Sequence, residues 1–85
     1  MKIEMEVPEY LPNRGFEFKW EGDFKIETKF EENILKVVAN KDGLLSLANH
    51  FLNLAQDKVP SGYHIHLDEN NSLENNSLEL IIEKK

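Results

Sequence analysis

The chain has 85 residues, of which 16 are Asp or Glu and 10 are Lys or Arg, so its formal net charge is −6 at pH 7. This length predicts a single domain over residues 1–85 without a deep active-site cavity, and the acidic balance argues against nucleic acid as a partner, since nucleic-acid affinity comes from Lys and Arg on phosphates. The sequence has no cysteine, which excludes disulfides and thiolate metal sites, and it shows neither an apolar leader nor a membrane-length apolar run, so we expect a cytoplasmic protein that contacts no membrane.

Along residues 1–40, apolar and charged side chains alternate with a period of two, which is typical of strands with one buried face. Gly22 and Asp23 predict a tight hairpin turn, because glycine adopts the positive φ angle that such turns require. Trp20 falls on the apolar side of its segment and is predicted to be in the core. The sequence therefore predicts four consecutive strands, at residues 3–7, 16–21, 24–30 and 34–39.

A capped amphipathic helix is predicted after the fourth strand. Asn40 is a favourable N-cap residue, and Asp42 adds negative charge at the positive end of the helix dipole. Pro60 and Gly62 end the helix and turn the chain. We expect the broad apolar half of this helix to pack on a sheet and the polar half to face away from it. The apolar half consists of Leu44, Leu45, Leu47, Ala48, Phe51, Leu52, Leu54 and Ala55, and the polar half of Ser46, Asn49, Asn53, Gln56 and Asp57.

Two further strands are predicted, one at residues 63–68 and one at residues 78–83. Between them the pentapeptide Asn-Asn-Ser-Leu-Glu occurs twice in succession, at 70–74 and 75–79, and is interpreted as a polar loop whose second copy enters the last strand. The predicted fold is a two-layer α+β domain in the order ββββ-α-ββ. Its mostly antiparallel sheet of five to six strands carries one helix on one face and is open to solvent on the other.

The strand at 63–68 places His64, His66 and Asp68 on one face, with neighbouring side chains about 7 Å apart. Imidazole and carboxylate groups are ligands for zinc or copper, and the spacing is similar to the His-x-His-x-Asp of hydrolytic metal enzymes. Those sites need further ligands from other segments, and the third histidine, His50, is predicted on the far side of the sheet. Two interpretations remain open, a small metal-binding module or a set of polar contacts on an exposed face. No catalytic residue and no cofactor is predicted.

Aromatic residues suggest how a protein partner would be held, because Trp and Tyr dominate binding hot spots. Tyr10 lies in a segment between prolines and is the predicted exposed aromatic, whereas Tyr63 falls on the apolar side of its strand and is predicted to be in the core. Exposed edge strands offer a second mode of interaction, by pairing with a partner or with a second copy in a homodimer.

From about residue 33 to residue 85, the chain resembles the Immunity protein 32 family, a family of small bacterial immunity proteins predicted to act in polymorphic toxin systems. The resemblance lies in the segment Asn40-Lys-Asp-Gly-Leu-Leu, the helix end Asn53-Leu-Ala-Gln, the strand Ser61-Gly-Tyr-His-Ile-His-Leu-Asp68 and the closing strand Leu78-Glu-Leu-Ile-Ile-Glu83. It implies a non-catalytic protein that binds and neutralises a cognate toxin domain made by the same cell.

With this resemblance, the candidate partner-binding residues are His64, His66 and Asp68 on the open face and Tyr10 in the loop. An acidic inhibitor would suit a basic toxin such as a nuclease, because opposite charges steer association. The alternatives are the metal-binding module that uses His64, His66 and Asp68, and a homodimeric structural or interaction protein.

Overall fold

The computed structural model describes all 85 residues, in which four strands and one helix form. β1 pairs antiparallel with β2, and β3 pairs antiparallel with β4, so there are two separate two-stranded sheets. The helix is too short to cross a membrane. In chain order the elements are β1 (Ile26–Glu31), β2 (Ile34–Ala39), α1 (Lys41–Leu54), β3 (His64–Leu67) and β4 (Leu80–Glu83).

The predicted sheet of five to six strands is wrong, although the fold is still of the α+β kind. Residues 3–7 and 16–21 form no strand. Their backbone is instead held by side chains of α1: Asn49 Nδ2 donates to the Glu6 carbonyl at 2.8 Å, and Asn53 Nδ2 donates to the Glu17 carbonyl at 2.9 Å. A period of two marks any extended segment with one buried face, so it does not distinguish pairing with a strand from lying along a helix.

The turn of the β1–β2 hairpin consists of Glu32 and Asn33, whose φ angles are 50° and 63°. Two successive positive φ angles are the geometry of the type I′ turn, which suits the twist of a two-stranded hairpin. The edge of β1 that faces away from β2 is covered by the loop before β4, because Glu74 N donates to the Ile26 carbonyl at 2.9 Å and Thr28 N donates to Ser77 Oγ at 3.2 Å. β1 is therefore hydrogen-bonded along both edges.

Asn40 is the N-cap of α1, as predicted. Its Oδ1 accepts a hydrogen bond from Gly43 N at 2.8 Å and another from Lys25 N at 3.0 Å, while its Nδ2 donates to the Asp23 carbonyl at 2.9 Å. A single side chain thus satisfies a free amide of the first helical turn and also fastens the helix to the segment that leads into β1.

The predicted orientation of α1 is correct for part of the apolar half, since Leu47 and Leu54 are buried in the core, but it is wrong for the polar half. Ser46, Asn49 and Asn53 on the polar half are 0% exposed, whereas Leu44 and Phe51 on the apolar half are 56% and 53% exposed. The polar half is buried because its side chains bind the extended N-terminal backbone: besides the two asparagine bonds, Ser46 Oγ accepts from Glu21 N at 2.8 Å. A buried polar group that gains a hydrogen bond avoids the cost of desolvation, so this half can face inward.

We expect Asn53→Ala to lower the free energy of unfolding by about 1–3 kcal/mol, because the Glu17 carbonyl and Gln56 Nε2 both lose a buried partner. Urea unfolding measures this loss. Asn70→Ala is the matched control, since the exposed Asn70 contributes only its backbone amide to a hydrogen bond. Equal stability of the two variants would contradict the role of α1 side chains in holding the N-terminal segment.

The core consists of two clusters beside α1. Tyr10 belongs to the first and is only 7% exposed, so its predicted exposure is wrong, whereas Tyr63 and Trp20 pack against the core as predicted. Tyr63 Oη also accepts from Phe16 N at 3.2 Å, which fixes the aromatic ring. The first cluster contains Tyr10, Leu54, Val59 and Ile65, and the second contains Ile26, Leu47, Leu67 and Leu73.

Candidate functional site

The β3–β4 hairpin has one buried face and one open face. Ile65 and Leu67 are 4% and 1% exposed, and His64 and His66 point to the opposite side. In the register, His64 lies opposite Glu83 and His66 lies opposite Ile81. Residues directly opposite each other in an antiparallel pair share a face. We call this open surface the histidine face; it comprises His64, His66, Glu79, Ile81 and Glu83.

Each histidine on this face has a carboxylate neighbour. His66 Nδ1 lies 3.0 Å from Glu79 Oε2, and His64 Nδ1 lies 3.6 Å from Glu83 Oε1 and 3.0 Å from the Gly62 carbonyl. The two imidazole centroids are 5.0 Å apart. All four side chains are between 45% and 60% exposed, and exposed ion pairs contribute only about 0–1 kcal/mol. These contacts orient the side chains and contribute little to the fold.

Asp68 does not join the two histidines. Its Oδ1 accepts hydrogen bonds from Asn70 N at 2.9 Å and Asn71 N at 3.1 Å, which is an Asx turn at the end of β3. The Asp68 carbonyl also accepts from Leu73 N at 2.8 Å and so helps to set Leu73 in the core. The Asp68 side chain therefore stabilises the loop after β3. Of the three predicted residues on this strand, only His64 and His66 lie on the open face.

No group of three or more His, Cys, Asp or Glu side chains converges in a way that could hold a metal ion. The predicted His-x-His-x-Asp set is divided between the histidine face and the Asx turn. His64, His66 and Glu79 lie on one face, but their side chains do not converge on a common point as zinc ligands must.

His50 is the third histidine and lies inside the protein. It is 0% exposed, and neither ring nitrogen has a hydrogen-bond partner. Trp20 and Phe18 meet it edge to face, with centroids 4.5 and 5.1 Å away. Burial among aromatic rings penalises the charged imidazolium and lowers the pKa of His50 from 6.5 to about 4. His50 is thus a neutral core residue and does not belong to the histidine face.

A second surface was not predicted from the sequence. A groove with a volume of about 370 Å³ runs between α1, β2 and β4 and is lined only by hydrophobic residues. The sequence did identify the apolar half of α1, but not that Leu44, Phe51 and Leu52 within it would remain exposed. We call this surface the apolar groove; its lining residues are Val37, Leu44, Leu47, Ala48, Phe51, Leu80 and Ile82.

Comparison with protein families confirms the resemblance seen in the sequence. The family model described as Immunity protein 32 matches residues 34–85, which is more than half of the chain. The matched region begins at β2 and includes the whole histidine face and the whole apolar groove, whereas β1 and the N-terminal segment lie outside it. No curated protein and no solved structure matches the chain.

Proposed function

The chain belongs to the Immunity protein 32 family, and from this membership we propose that it neutralises a cognate toxin domain by binding it, without catalysis. An immunity protein has a toxin as its partner. The toxin is one produced by the same cell, and the surface is the histidine face.

The observation that carries this assignment is the arrangement of the histidine face around Ile81. Ile81 is 50% exposed and lies directly opposite His66, with Glu79 and Glu83 two positions away on the same side of β4. An apolar residue surrounded by polar groups is the usual anatomy of a non-obligate protein interface, where the centre loses water and the rim stays polar. The side chains of this face are free to contact a partner because they contribute little to the fold.

Charge supports a basic partner surface. The chain carries a net charge of −6, and both carboxylates of the histidine face are more than half exposed. An acidic inhibitor accelerates its encounter with a basic protein, and the acceleration falls as salt screens the charges. We therefore expect the association rate with the toxin domain to decrease with ionic strength, while the dissociation rate changes less.

Binding, rather than catalysis, also agrees with the shape of this surface. Catalytic sites are usually concave and exclude water. His64 and His66 are instead nearly half exposed on the outside of a two-stranded hairpin. Imidazoles in this position are suited to donating and accepting hydrogen bonds across an interface.

The test uses the purified protein and a candidate toxin domain encoded in the same genome. We expect the double variant His64→Ala/His66→Ala to bind the toxin domain at least about tenfold more weakly, because two polar contacts and the order of both glutamates are lost. Its melting temperature should change little, since exposed ion pairs stabilise the fold only slightly. Calorimetric titration and a thermal scan measure both quantities.

The matched control is Asp57→Ala/Lys58→Ala, which removes two exposed side chains from the loop after α1. It should leave the affinity unchanged. If the histidine variant keeps full affinity but loses thermal stability, the histidines serve the fold and the contact surface is elsewhere. If the unmodified protein forms no complex with the toxin domain, the proposed function itself fails.

A further inference from the structure

One edge of the β1–β2 hairpin is open. The two-residue turn brings Glu31 opposite Ile34, and Asn40 N donates to the Lys25 carbonyl at 3.1 Å. In an antiparallel pair, hydrogen bonds to the neighbouring strand are made by alternate residues. The even-numbered residues of β2 therefore bond to β1. The odd-numbered residues Leu35, Val37 and Ala39 direct their N–H and C=O groups away from β1, where no other strand pairs with them.

This open edge lacks the features that normally prevent strands from pairing with other chains. Such features are prolines, bulges, several charged side chains or a covering loop. β2 reads Ile-Leu-Lys-Val-Val-Ala, with Lys36 as its single charge, and its first five residues are exposed. By contrast, the far edge of β1 is covered by residues 74–78. A strand with apolar side chains on both faces is typical of one that is covered on both faces.

The exposed apolar surface beside this edge is large enough for a stable interface. Side chains of this size expose on the order of 80–100 Å² each when half exposed, so eight of them present roughly 700 Å². A standard interface buries about 800 Å² on each partner. Each of the eight is between 41% and 59% exposed. Ile34 and Val38 lie on the face of β2 that points away from α1, and the other six lie on the side of the apolar groove: Phe30, Leu35, Val37, Leu44, Phe51 and Leu52.

We propose that two copies of this chain form a homodimer by antiparallel pairing of β2 with β2 across a twofold axis at Val37. In this register Val37 lies opposite Val37 of the second copy, and Leu35 lies opposite Ala39. The N–H and C=O groups of Leu35, Val37 and Ala39 are the six backbone groups that point out of the open edge. In this register each of them forms a hydrogen bond with the second copy. The product is a four-stranded antiparallel sheet whose apolar side is continuous with the apolar groove of each copy.

Electrostatics select this register. Centring the axis on Lys36 would place two lysines opposite each other, and it would leave Ala39 opposite Asn33 in the hairpin turn, so that only Leu35 and Val37 could form hydrogen bonds across the edge. With the axis at Val37, Lys36 lies opposite Val38 of the second copy, so no like charges face each other within the paired strands. β2 contains no Asp or Glu, so the acidic residues that give each copy its net charge of −6 lie outside the paired strands.

A second copy suits this surface better than the toxin does. Permanent homodimer interfaces are more apolar than interfaces that form and separate, and the outer side of α1 carries no charged residue between Asp42 and Asp57. The histidine face belongs to the other sheet and stays open for the toxin.

The dimer is tested on the full chain without toxin. Sedimentation equilibrium at about 200 μM should give a mass near 20 kDa, twice the 9.9 kDa of one chain. Amide hydrogen exchange adds a residue-level signature. The amides of Leu35, Val37 and Ala39 should be at least about 100-fold protected in the dimer and lose this protection on dilution, whereas those of Lys36 and Val38 stay protected by β1.

Val37→Lys should convert the protein into a monomer, and Leu35→Lys should do the same from an adjacent position. Both side chains are 41% or more exposed, and circular dichroism verifies that the variants fold. The matched control is Ile81→Lys, which places the same charge at a residue 50% exposed on the other sheet and should leave the dimer intact.

Three results would overturn the proposal. The first is a monomer at about 200 μM, well above the dissociation constants of stable dimers. The second is a dimer that persists in both lysine variants. The third is protection of the amides of Leu35, Val37 and Ala39 only after the toxin domain is added, which would make the toxin the occupant of the β2 edge. The first two results do not depend on whether the histidine face binds the toxin, so the two proposals can fail separately.

Discussion

Lowering the pH from 7 to 4 is expected to reduce the free energy of unfolding by about 3 kcal/mol through His50 alone. Burial lowers the pKa of this imidazole from 6.5 to about 4, because a charged ring would have neither water nor a hydrogen-bond partner inside the protein. The aromatic rings of Phe18 and Trp20 surround it edge to face and supply no counter-charge. Protonation is therefore much less favourable in the folded state than in the unfolded chain.

The sign follows from proton binding in the two states. Above pH 6.5 His50 is neutral in both, and stability does not depend on it. Between pH 6.5 and about 4 the unfolded chain binds a proton that the folded protein does not, so each pH unit costs up to about 1.4 kcal/mol. Below pH 4 both states are protonated and the loss from His50 is complete.

Urea unfolding at pH 7.0, 5.5 and 4.5 measures this dependence. His50→Leu fills the site with an apolar side chain that does not titrate. It should remove most of the dependence of the free energy of unfolding on pH between pH 6.5 and 4.5. It should also retain or raise the stability at pH 7, because two unpartnered buried nitrogens are removed. His64→Ala/His66→Ala is the control and should keep the full slope. An unchanged slope in His50→Leu would show that other groups govern acid unfolding.

Local signals predicted the second half of the fold well. β2, α1, β3 and β4 lie where alternation and capping placed them, and the strands differ from the predicted ranges by at most two residues at their ends. Asn40 acts as the N-cap because a cap depends on only a few neighbouring residues. The outward direction of His64 and His66 was also correct, since alternation along β3 determines it. Local chemistry was sufficient for each of these features.

The burial of the polar half of α1 could not be predicted, because it depends on residues far away in the sequence. Periodicity divides the helix into two halves but does not identify the segment that each half contacts. Here the extended N-terminal backbone offers carbonyl groups, and Asn49, Asn53 and Gln56 bind them across separations of 36 to 48 residues. The spacing of these amide side chains at three- and four-residue intervals was the one sequence signal of this role.

The duplicated pentapeptide also shows that the local sequence does not determine which residues are buried. Leu73 of the first copy is 5% exposed and belongs to the core, whereas Leu78 of the second copy is 49% exposed. The same position of the repeat is therefore buried in one copy and exposed in the other, although the neighbouring residues are identical. The first copy is drawn inward by the Asx turn at Asp68, and the second lies along the edge of β1. Tertiary contacts, and not the local sequence, decide which leucine is buried.

Replacing Gly43 by alanine is expected to cost about 3 kcal/mol of stability, although alanine is the better helix former by about 1 kcal/mol. A Cβ atom on Gly43 would lie 2.5 Å from the Lys25 carbonyl oxygen and 2.9 Å from Ile26 Cγ1. The first of these is a backbone atom and Ile26 is completely buried, so neither can move aside freely. The helix must shift away from β1, which strains the hydrogen bonds that Asn40 makes to Lys25.

Gly62→Ala separates this steric effect from the loss of glycine's conformational freedom. Gly62 has a φ angle of +88°, and a Cβ atom there would meet nothing within 4 Å. We expect this variant to lose about 1–2 kcal/mol from backbone strain alone. Urea unfolding of both variants at pH 7 compares the two. A Gly43→Ala protein as stable as the unmodified one would contradict the close approach of α1 to β1, which holds the helix so that its polar half meets the N-terminal segment.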